Sequence, residues 1–153
     1  MKGLIVYYSY TGNTEQIANL IQEQTQYDIL VLEPTKPYSD NYQQVVDEEE
    51  TKIDQNEIIT IKNINIDLNK YDKIILGTPV WWYTMAPVVR TFLETYDIKN
   101  KQVSVFVTNG GWIGHTIKDI EHYIKIKQYI NIKFNHNTLS TPLSKIEDWI
   151  NSL

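Results

Sequence analysis

Ser9-Tyr10-Thr11-Gly12-Asn13-Thr14 directly follows the apolar run Leu4-Ile5-Val6-Tyr7-Tyr8, and this junction decides how the chain folds. A run of strand-forming residues that stops at small hydroxyl residues and a glycine, before a helical pattern, predicts a strand, a tight turn and a helix N-terminus. Free N–H groups converge at such a helix start, and the helix dipole favours negative charge there. Gly12 tolerates positive φ, and the hydroxyl residues add further donors. The stretch predicts either a site for one phosphate group or an ordinary turn that caps a helix.

The residues that this loop lacks narrow its function. It contains no Lys or Arg and does not match the G-x-x-x-x-G-K-[ST] pattern of nucleotide triphosphate hydrolases. It also lacks the spaced glycines of the dinucleotide-binding fingerprint, so a Rossmann NAD site is not supported. A neutral loop lined by hydroxyl groups suits a single phosphate monoester.

The composition bounds the class of protein. The chain has 153 residues, a length that predicts one domain over residues 1–153. It has no cysteine, which excludes thiol catalysis and thiolate metal sites, and no histidine and carboxylate cluster has metal-ligand spacing. The first apolar run is too short for a signal peptide or a membrane span, so we expect a cytoplasmic protein without a membrane partner. The net charge of −5 argues against nucleic acid and permits a basic protein partner.

Strand and helix patterns alternate along the chain without a repeat. Apolar runs predict strands over residues 29–32, 73–77, 103–107 and 129–134, in addition to the first run. Helical spacing predicts helices over residues 13–25, 41–51, 86–96, 113–124 and 143–153, and residues 58–68 are expected to be extended. This alternation predicts an α/β fold with three α/β/α layers and a doubly wound parallel sheet, because right-handed crossovers place helices on both faces.

Three predicted loops stand out at the carboxyl edge of that sheet, where ligands of such folds bind. Residues 9–14 suit a phosphate, residues 78–84 are rich in aromatic side chains, and residues 108–114 are rich in glycine. Together they predict a ligand that has a phosphate at one end and a flat ring at the other.

The motifs of these loops resemble those of flavodoxins. The resemblance rests on the first loop, on Gly77-Thr78-Pro79-Val80-Trp81-Trp82, on Thr108-Asn109-Gly110-Gly111 and on the closing Ile146-Glu147-Asp148-Trp149-Ile150. It covers nearly the whole chain and is greatest to short flavodoxins of a branch with two tryptophans in the second loop. It implies a five-stranded sheet in the order 2-1-3-4-5 and a low-potential electron-transfer protein that binds FMN.

The resemblance also implies the residues and partners of the site. The phosphate would be held by the first loop and the isoalloxazine ring by the second and third loops. The expected cofactor-binding residues are Ser9, Tyr10, Thr11, Gly12, Asn13, Thr14, Thr78, Pro79, Val80, Trp81, Trp82, Tyr83, Thr108, Asn109, Gly110, Gly111 and Trp112. The expected partners are redox proteins, namely flavin or iron–sulfur reductases and acceptors, and the chain is expected to be a monomer or a weak dimer.

The chain departs from flavodoxins in two places. Residues 79–84 contain no glycine, whereas flavodoxins commonly turn a glycine peptide toward the flavin on reduction. We therefore expect that turn to be absent or to move to Asn109-Gly110 or Gly110-Gly111. Trp112 follows the glycine pair where a small residue is usual, and it either covers the ring or anchors the following helix as a partly buried residue. His115 is either a proton donor or a cap or surface residue, and His122 and His136 have no evident partner in the sequence.

Two other classes of function compete with an electron carrier. One is an FMN-dependent NAD(P)H:quinone reductase, which uses a related fold, and the absence of an inserted nicotinamide-binding segment favours the carrier over it. The other is a flavin-free module that resembles response-regulator receivers. Receivers need acidic residues after the first strand, where this chain has Tyr8-Ser9, so that class is disfavoured.

Overall fold

The computed structural model describes residues 2–41, 43–45, 47–48 and 58–153. In these ranges the strands are β1 Gly3–Tyr7, β2 Asp28–Val31, β3 Lys73–Trp81, β4 Thr84–Met85, β5 Gln102–Asn109, β6 Ile126–Asn135 and β7 Thr138–Leu139. The helices are α1 Asn13–Thr25, α2 Pro87–Thr95, α3 Thr116–Glu121 and α4 Leu143–Asn151, with a 3-10 turn at Leu68–Lys70. None of the helices in the described ranges is long and apolar enough to cross a bilayer.

The sheet has the predicted winding. Its parallel strands lie in the order β2-β1-β3-β5-β6, which is the predicted 2-1-3-4-5 order once the short β4 is counted. The prediction of five strands omitted β4, which pairs antiparallel with β3, and β7, which pairs antiparallel with β6. Each of these strands has two residues, too few for any periodicity to reveal them.

The core lies on both faces of the sheet, as three layers require. Neighbouring residues of β1 alternate between them: Leu4 and Val6 pack on the face of α2, whereas Ile5 and Tyr7 pack on the face of α1 and α4. Because β1 is buried on both faces, all of its residues are apolar or small, which explains the unbroken run in the sequence.

Helix α1 has the predicted bounds, the other elements begin or end one to four residues away from prediction, and two of these differences reshape the site. β3 continues past Gly77 to Trp81, so most of the predicted loop over residues 78–84 is a strand and a tight hairpin. α3 begins at Thr116 rather than at Ile113, because the N–H of His115 donates to the carbonyl of Tyr83 at 2.8 Å and residues 113–115 are drawn toward the hairpin.

The segment after β2 has only part of its predicted structure within the described ranges. Of the helix predicted over residues 41–51, residues 43–45 and 47–48 are helical and Asn41 is not, whereas residues 42, 46 and 49–51 lie outside the described residues. Within the segment predicted to be extended, residues 58–68, Ile61 forms one isolated antiparallel bridge with Pro34, and Leu68 begins the 3-10 turn. This segment runs antiparallel to the chain after β2, because the N–H of Thr35 donates to Thr60 O at 3.0 Å and the N–H of Lys62 donates to Glu33 O at 2.9 Å.

Candidate functional site

The first loop is an open turn at the start of α1. Gly12 is the N-cap and has φ of 98°, a value that favours glycine, and its N–H donates to Ser9 Oγ at 3.1 Å. The first backbone bond of the helix runs from Gln16 N–H to Gly12 O at 3.0 Å. No side chain caps this helix end, so the N–H groups of its first turn stay available to an anion. The loop is therefore a turn with a glycine N-cap, and its role as a phosphate site stays a prediction.

A cleft of about 390 Å³ opens beside this loop at the carboxyl edge of the sheet. Its volume falls in the range of small-molecule sites in proteins. It is bounded by segments that follow or end four strands rather than the three predicted, because the β6–β7 hairpin also contributes. The cleft is lined by Tyr10, Thr11, Asn13, Thr14, Pro79, Val80, Trp81, Thr108, Asn109, Gly110, Phe134, His136 and Asn137.

A pair of buried hydroxyl groups joins the first loop to the end of β5. Thr14 Oγ1 and Thr108 Oγ1 lie 2.7 Å apart, and both residues are buried. A hydrogen bond between buried groups contributes more than one at the surface, since buried hydroxyls have few alternative partners. It fixes the start of α1 against the end of β5 and therefore holds the two ends of the cleft in register.

Trp81 is the aromatic wall of the cleft, and three tyrosines hold it. Its ring meets those of Tyr8, Tyr10 and Tyr38 edge-on, with centroids 5.8, 5.9 and 5.2 Å away. Edge-on contacts of this kind fix ring orientation. The hydroxyl of Tyr10 donates to Ser39 O at 2.5 Å, which ties the cluster to the loop after β2. The sequence predicted Trp81 at the site but not Tyr8 and Tyr38 behind it.

The β3–β4 hairpin turns through Trp82 and Tyr83, which have φ of 50° and 70°. Positive φ at both central residues is the pattern of a type I′ turn, which ordinarily takes Asn and Gly. Residues 79–84 contain no glycine, and the hairpin nevertheless adopts positive φ at two bulky residues.

The third loop holds the tip of this hairpin. Tyr83 and Trp112 are 51% and 67% exposed, and their ring centroids are 5.0 Å apart. Gly114 has φ of 57°, and a Cβ on it would lie 2.3 Å from the carbonyl oxygen of Tyr83. The exposure of Trp112 contradicts its alternative role as a partly buried anchor, whereas its role in covering a ring stays a prediction.

The side chain of Asn109 holds the glycine pair of the third loop by hydrogen bonds. Its Oδ1 accepts the N–H of Gly111 at 2.9 Å, and its Nδ2 donates to Ile132 O at 3.4 Å and to Asn131 Oδ1. The loop is therefore pinned to β6 while the backbone of Gly110, which lines the cleft, stays open.

Most of the predicted site residues converge on the cleft. Three predicted residues, Thr78, Ser9 and Gly12, do not line the cleft but support its walls. Thr78 is fully buried. Its hydroxyl donates to Pro79 O at 2.8 Å and accepts the N–H of Ala86 at 3.0 Å. It supports the hairpin from below rather than lining the cleft. Ser9 and Gly12 shape the first loop without lining the cleft either. The predicted residues that lie at the hairpin tip and third loop, beyond the cleft lining, are Trp82, Tyr83, Gly111 and Trp112.

Sequence reasoning missed the β6–β7 hairpin, which brings Phe134, His136 and Asn137 into the cleft. Asn13 Nδ2 donates to His136 O at 2.9 Å, so this hairpin is joined directly to the first loop. A signal was present: Asn135-His136-Asn137 is a polar turn sequence at the end of a strand of the same parallel sheet.

His115 lies on the other side of the β3–β4 hairpin. Its ring pairs with Asp119 Oδ2, and the same carboxylate oxygen accepts the hydroxyl of Thr84 at 2.5 Å. His115 is also the N-cap residue of α3. Its position agrees with the predicted alternative of a cap residue, and a role as proton donor stays a prediction. Through Asp119 the side chain belongs to a hydrogen-bond network that joins the hairpin to α3.

The flavodoxin family model matches residues 2–153. The chain belongs to the flavodoxin family. A comparison with curated protein sequences finds no match. Among solved structures, a flavoprotein from Lactobacillus acidophilus NCFM in complex with FMN has a TM-score of 0.73 and 23% identity, with 97% of each chain covered.

Two other solved structures have the same fold. A candidate flavoprotein from Bacteroides eggerthii DSM 20697 has a TM-score of 0.80 and 23% identity, with coverage of 99% of this chain and 96% of that one. A flavodoxin from the domain Archaea has a TM-score of 0.54 and 17% identity, with coverage of 99% and 92%. These likenesses confirm the doubly wound flavodoxin-like fold.

Proposed function

We propose that this chain binds FMN in the cleft and works as a low-potential electron carrier between redox proteins. The observation that carries the proposal is the convergence of an uncapped helix start and an aromatic wall on one cleft in a member of the flavodoxin family. A related flavoprotein of the same fold forms a complex with FMN, which supports the choice of ligand.

The phosphate end of the ligand fits the first loop. Thr11 and Thr14 lie at the cleft surface beside the free N–H groups of α1, and Gly12 leaves open space where a Cβ would otherwise stand. Backbone N–H groups at a helix start bind a phosphate without a lysine. These residues would hold the phosphate by hydrogen bonds and by the helix dipole rather than by an ion pair.

The ring end fits Trp81 and the third loop. Trp81 offers an aromatic surface whose orientation the tyrosines fix, and the backbone beside Gly110 offers donors and acceptors. Bound FMN would supply the redox-active ring. Among the described residues, those that line the cleft include no Lys or Arg. Without such a permanent cation beside the ring, negative charge added to it would be less favourable, which would lower its reduction potential.

The proposal that the partners are redox proteins with basic surfaces rests on the net charge of the chain. The chain carries a net charge of −5, which favours encounter with basic surfaces on reductases and acceptors. This reasoning predicts association rates that fall as ionic strength rises.

A second candidate is an FMN-dependent NAD(P)H:quinone reductase. The exposed ring pair of Tyr83 and Trp112 favours it, because two rings held 5.0 Å apart at a loop tip offer a surface to a planar substrate. The two candidates differ in whether the FMN-loaded protein oxidises NAD(P)H without a partner.

Calorimetric titration with FMN, riboflavin and FAD tests the cofactor. We expect FMN to bind more tightly than the others, and equal affinity for riboflavin would show that the first loop is not a phosphate site. Trp81→Ala should weaken FMN binding by about fivefold and raise the fluorescence of bound flavin, because an aromatic contact is worth about 1 kcal/mol. Tyr129→Ala, at an exposed position on β6, is the control. Anaerobic NAD(P)H oxidation by the loaded protein alone would favour the reductase.

A further inference from the structure

We propose that Tyr38, in the loop after β2, is a positioning residue for the flavin ring, on which it acts through Trp81. The inference rests on the proposed function, because it concerns the orientation of the indole that would stack on bound FMN. Tyr38 does not line the cleft, so its effect on a ligand there is indirect. The sequence gave no signal for this role, since Tyr38 lies outside the three loops that were predicted to form the site.

The first step is the contact between Tyr38 and Trp81. Their ring centroids are 5.2 Å apart and their planes are inclined by 61°. This distance is shorter than those from Trp81 to Tyr8 and Tyr10, which are 5.8 and 5.9 Å. Aromatic pairs favour such edge-on arrangements, and rotation of the indole would lose them. Tyr38 therefore stabilises one orientation of Trp81.

The second step is the place of Tyr38 among the other rings. Its centroid lies 6.1 Å from that of Tyr8 and 6.3 Å from that of Tyr10, so it contacts both of the other tyrosines that surround Trp81. A hollow of about 230 Å³ lies beside these three tyrosines, and they form part of its lining. Removal of the Tyr38 ring would extend this open space toward Trp81 and give the indole room to turn.

The third step is the way in which the chain holds Tyr38 in place. Before it, the N–H of Thr35 donates to Thr60 O at 3.0 Å, which joins the loop to the neighbouring extended segment. After it, Ser39 O accepts the hydroxyl of Tyr10 at 2.5 Å, which joins the loop to the first loop of the site. Because the backbone is fastened on both sides, the Tyr38 ring loses little further freedom when it packs on Trp81.

The last step connects this packing to the ligand. Trp81 lines the cleft, whereas Tyr38 lies behind it. An indole whose orientation is already set stacks on a flat ring without a further loss of freedom, whereas an indole that turns must first be ordered by the ligand. Loss of Tyr38 should therefore weaken flavin binding and reduce the contact between the flavin and Trp81.

The experiment compares FMN binding by the wild type, Tyr38→Leu and Tyr38→Phe. Fluorescence titration gives the dissociation constant, and the emission and visible circular dichroism of the saturated complex report on stacking and on ring orientation. Tyr96→Leu is the matched control, because Tyr96 is also partly buried, packs on the ring of Phe92 at 5.4 Å and does not line the cleft.

We expect Tyr38→Leu to weaken FMN binding by about threefold, less than Trp81→Ala does, because Tyr8 and Tyr10 still contact the indole. The flavin bound to Tyr38→Leu should also emit more strongly and have a weaker circular dichroism signal than in the wild type. Tyr38→Phe should match the wild type, since it keeps the ring. Tyr96→Leu should lower the melting temperature without changing the affinity or the spectra of bound FMN.

A double variant shows whether Tyr38 acts through Trp81. In the Trp81→Ala background, Tyr38→Leu should cause no further loss of affinity, because the ring that Tyr38 positions is absent. An equal loss in both backgrounds would overturn the inference, since Tyr38 would then act without Trp81.

Three other results would also contradict the inference. Wild-type affinity and emission in Tyr38→Leu would overturn it while leaving FMN binding intact. The same change in Tyr96→Leu would show a general loss of stability, and the same change in Tyr38→Phe would show that ring packing is not the cause. If the wild-type chain binds no FMN, both the proposed function and this inference are wrong.

Discussion

The two edges of the sheet are built in opposite ways. At the carboxyl edge the chain repeatedly enters the positive-φ region, and the start of α1 has no side-chain cap. The positive-φ residues at this edge are Gly12, Trp82, Tyr83, Gly111, Gly114 and His136, whereas among the described residues the amino edge has only Gln26, which ends α1. Strain and free donors are thus gathered on one side of the molecule.

The amino edge is instead tied by side chains and backbone. The hydroxyl of Tyr71 donates to Asp28 Oδ2 at 2.6 Å, and Lys101 Nζ donates to the carbonyl of Tyr71 at 2.8 Å. The N–H of Gln102 also donates to Asp72 O at 2.9 Å. The amino edge thus stabilises the fold, whereas the strained turns of the carboxyl edge lower its stability and shape the candidate site.

The largest effect should follow from filling the space at Gly114. In Gly114→Ala, the new Cβ would meet backbone atoms of Tyr83 at 2.3 to 2.8 Å, and alanine would be strained at φ of 57°. Backbone cannot move aside as a side chain can, so we expect a loss of about 3 kcal/mol or more in the free energy of unfolding. Urea denaturation measures it.

Gly110→Ala is the matched control for that change. Nothing lies within 4 Å of a Cβ at Gly110, and its φ is not in the positive region. We therefore expect a change of less than about 0.5 kcal/mol. If the two variants unfold at the same denaturant concentration, the docking of the hairpin on the third loop is not what holds the carboxyl edge.

The sequence predicts those parts of the carboxyl edge in which each residue type matches the backbone conformation that it adopts. The first loop is one of them: Gly12 stands where φ is positive and hydroxyl residues surround a helix start, so the loop and the bounds of α1 were predictable. The order of the parallel strands followed from the resemblance, since apolar runs give strands but not their order. Trp82, Tyr83 and His136 break the rule that positive φ takes Gly, Asn or Asp. The Trp82-Tyr83 turn was therefore not predictable, and neither was β4. The β6–β7 turn had only the polar residues 135–137 as a signal, too little to predict β7 or the fourth wall of the cleft.

A smaller effect is expected from the buried hydroxyl pair that spans the cleft. Thr14→Val keeps the shape of the side chain but leaves the hydroxyl of Thr108 buried without its partner, which costs about 2 kcal/mol. Replacing both residues by Val removes the unpaired group and should restore much of this loss. A double-mutant cycle with thermal unfolding measures the coupling. Additive losses would mean that the two hydroxyls do not stabilise each other.

Gly12→Ala should cost about 1 kcal/mol, less than Gly114→Ala. Both sites have positive φ, but nothing lies within 4 Å of a Cβ at Gly12, so strain acts there without a clash. Gly12→Asn should be milder because Asn tolerates this region. Chemical denaturation ranks the variants, and a loss in Gly12→Ala as large as that in Gly114→Ala would remove the distinction between an open and a packed turn.

The smallest effect concerns the amino edge, where Tyr71 is buried and donates to Asp28. This hydrogen bond, with burial and the negative charge of Asp28, raises the pKa of Tyr71 to about 12. The folded state therefore keeps a proton that the unfolded state releases from about pH 10. The stabilisation is complete below about pH 10 and is lost as the pH rises to about 12.

Tyr71→Phe removes this hydrogen bond and its dependence on pH. Because the side chain of Asp28 is 52% exposed, solvent weakens the bond, and we expect a loss of only about 0.5–1 kcal/mol at neutral pH. Between about pH 10 and 12 the stability of the variant should fall less steeply than that of the wild type. Tyr123 keeps part of the slope, because burial and its hydrogen bond to Glu94 raise its pKa to about 12 as well. Urea titrations across this range measure both slopes, and parallel curves for the two proteins would show that the Tyr71 bond does not hold the amino edge.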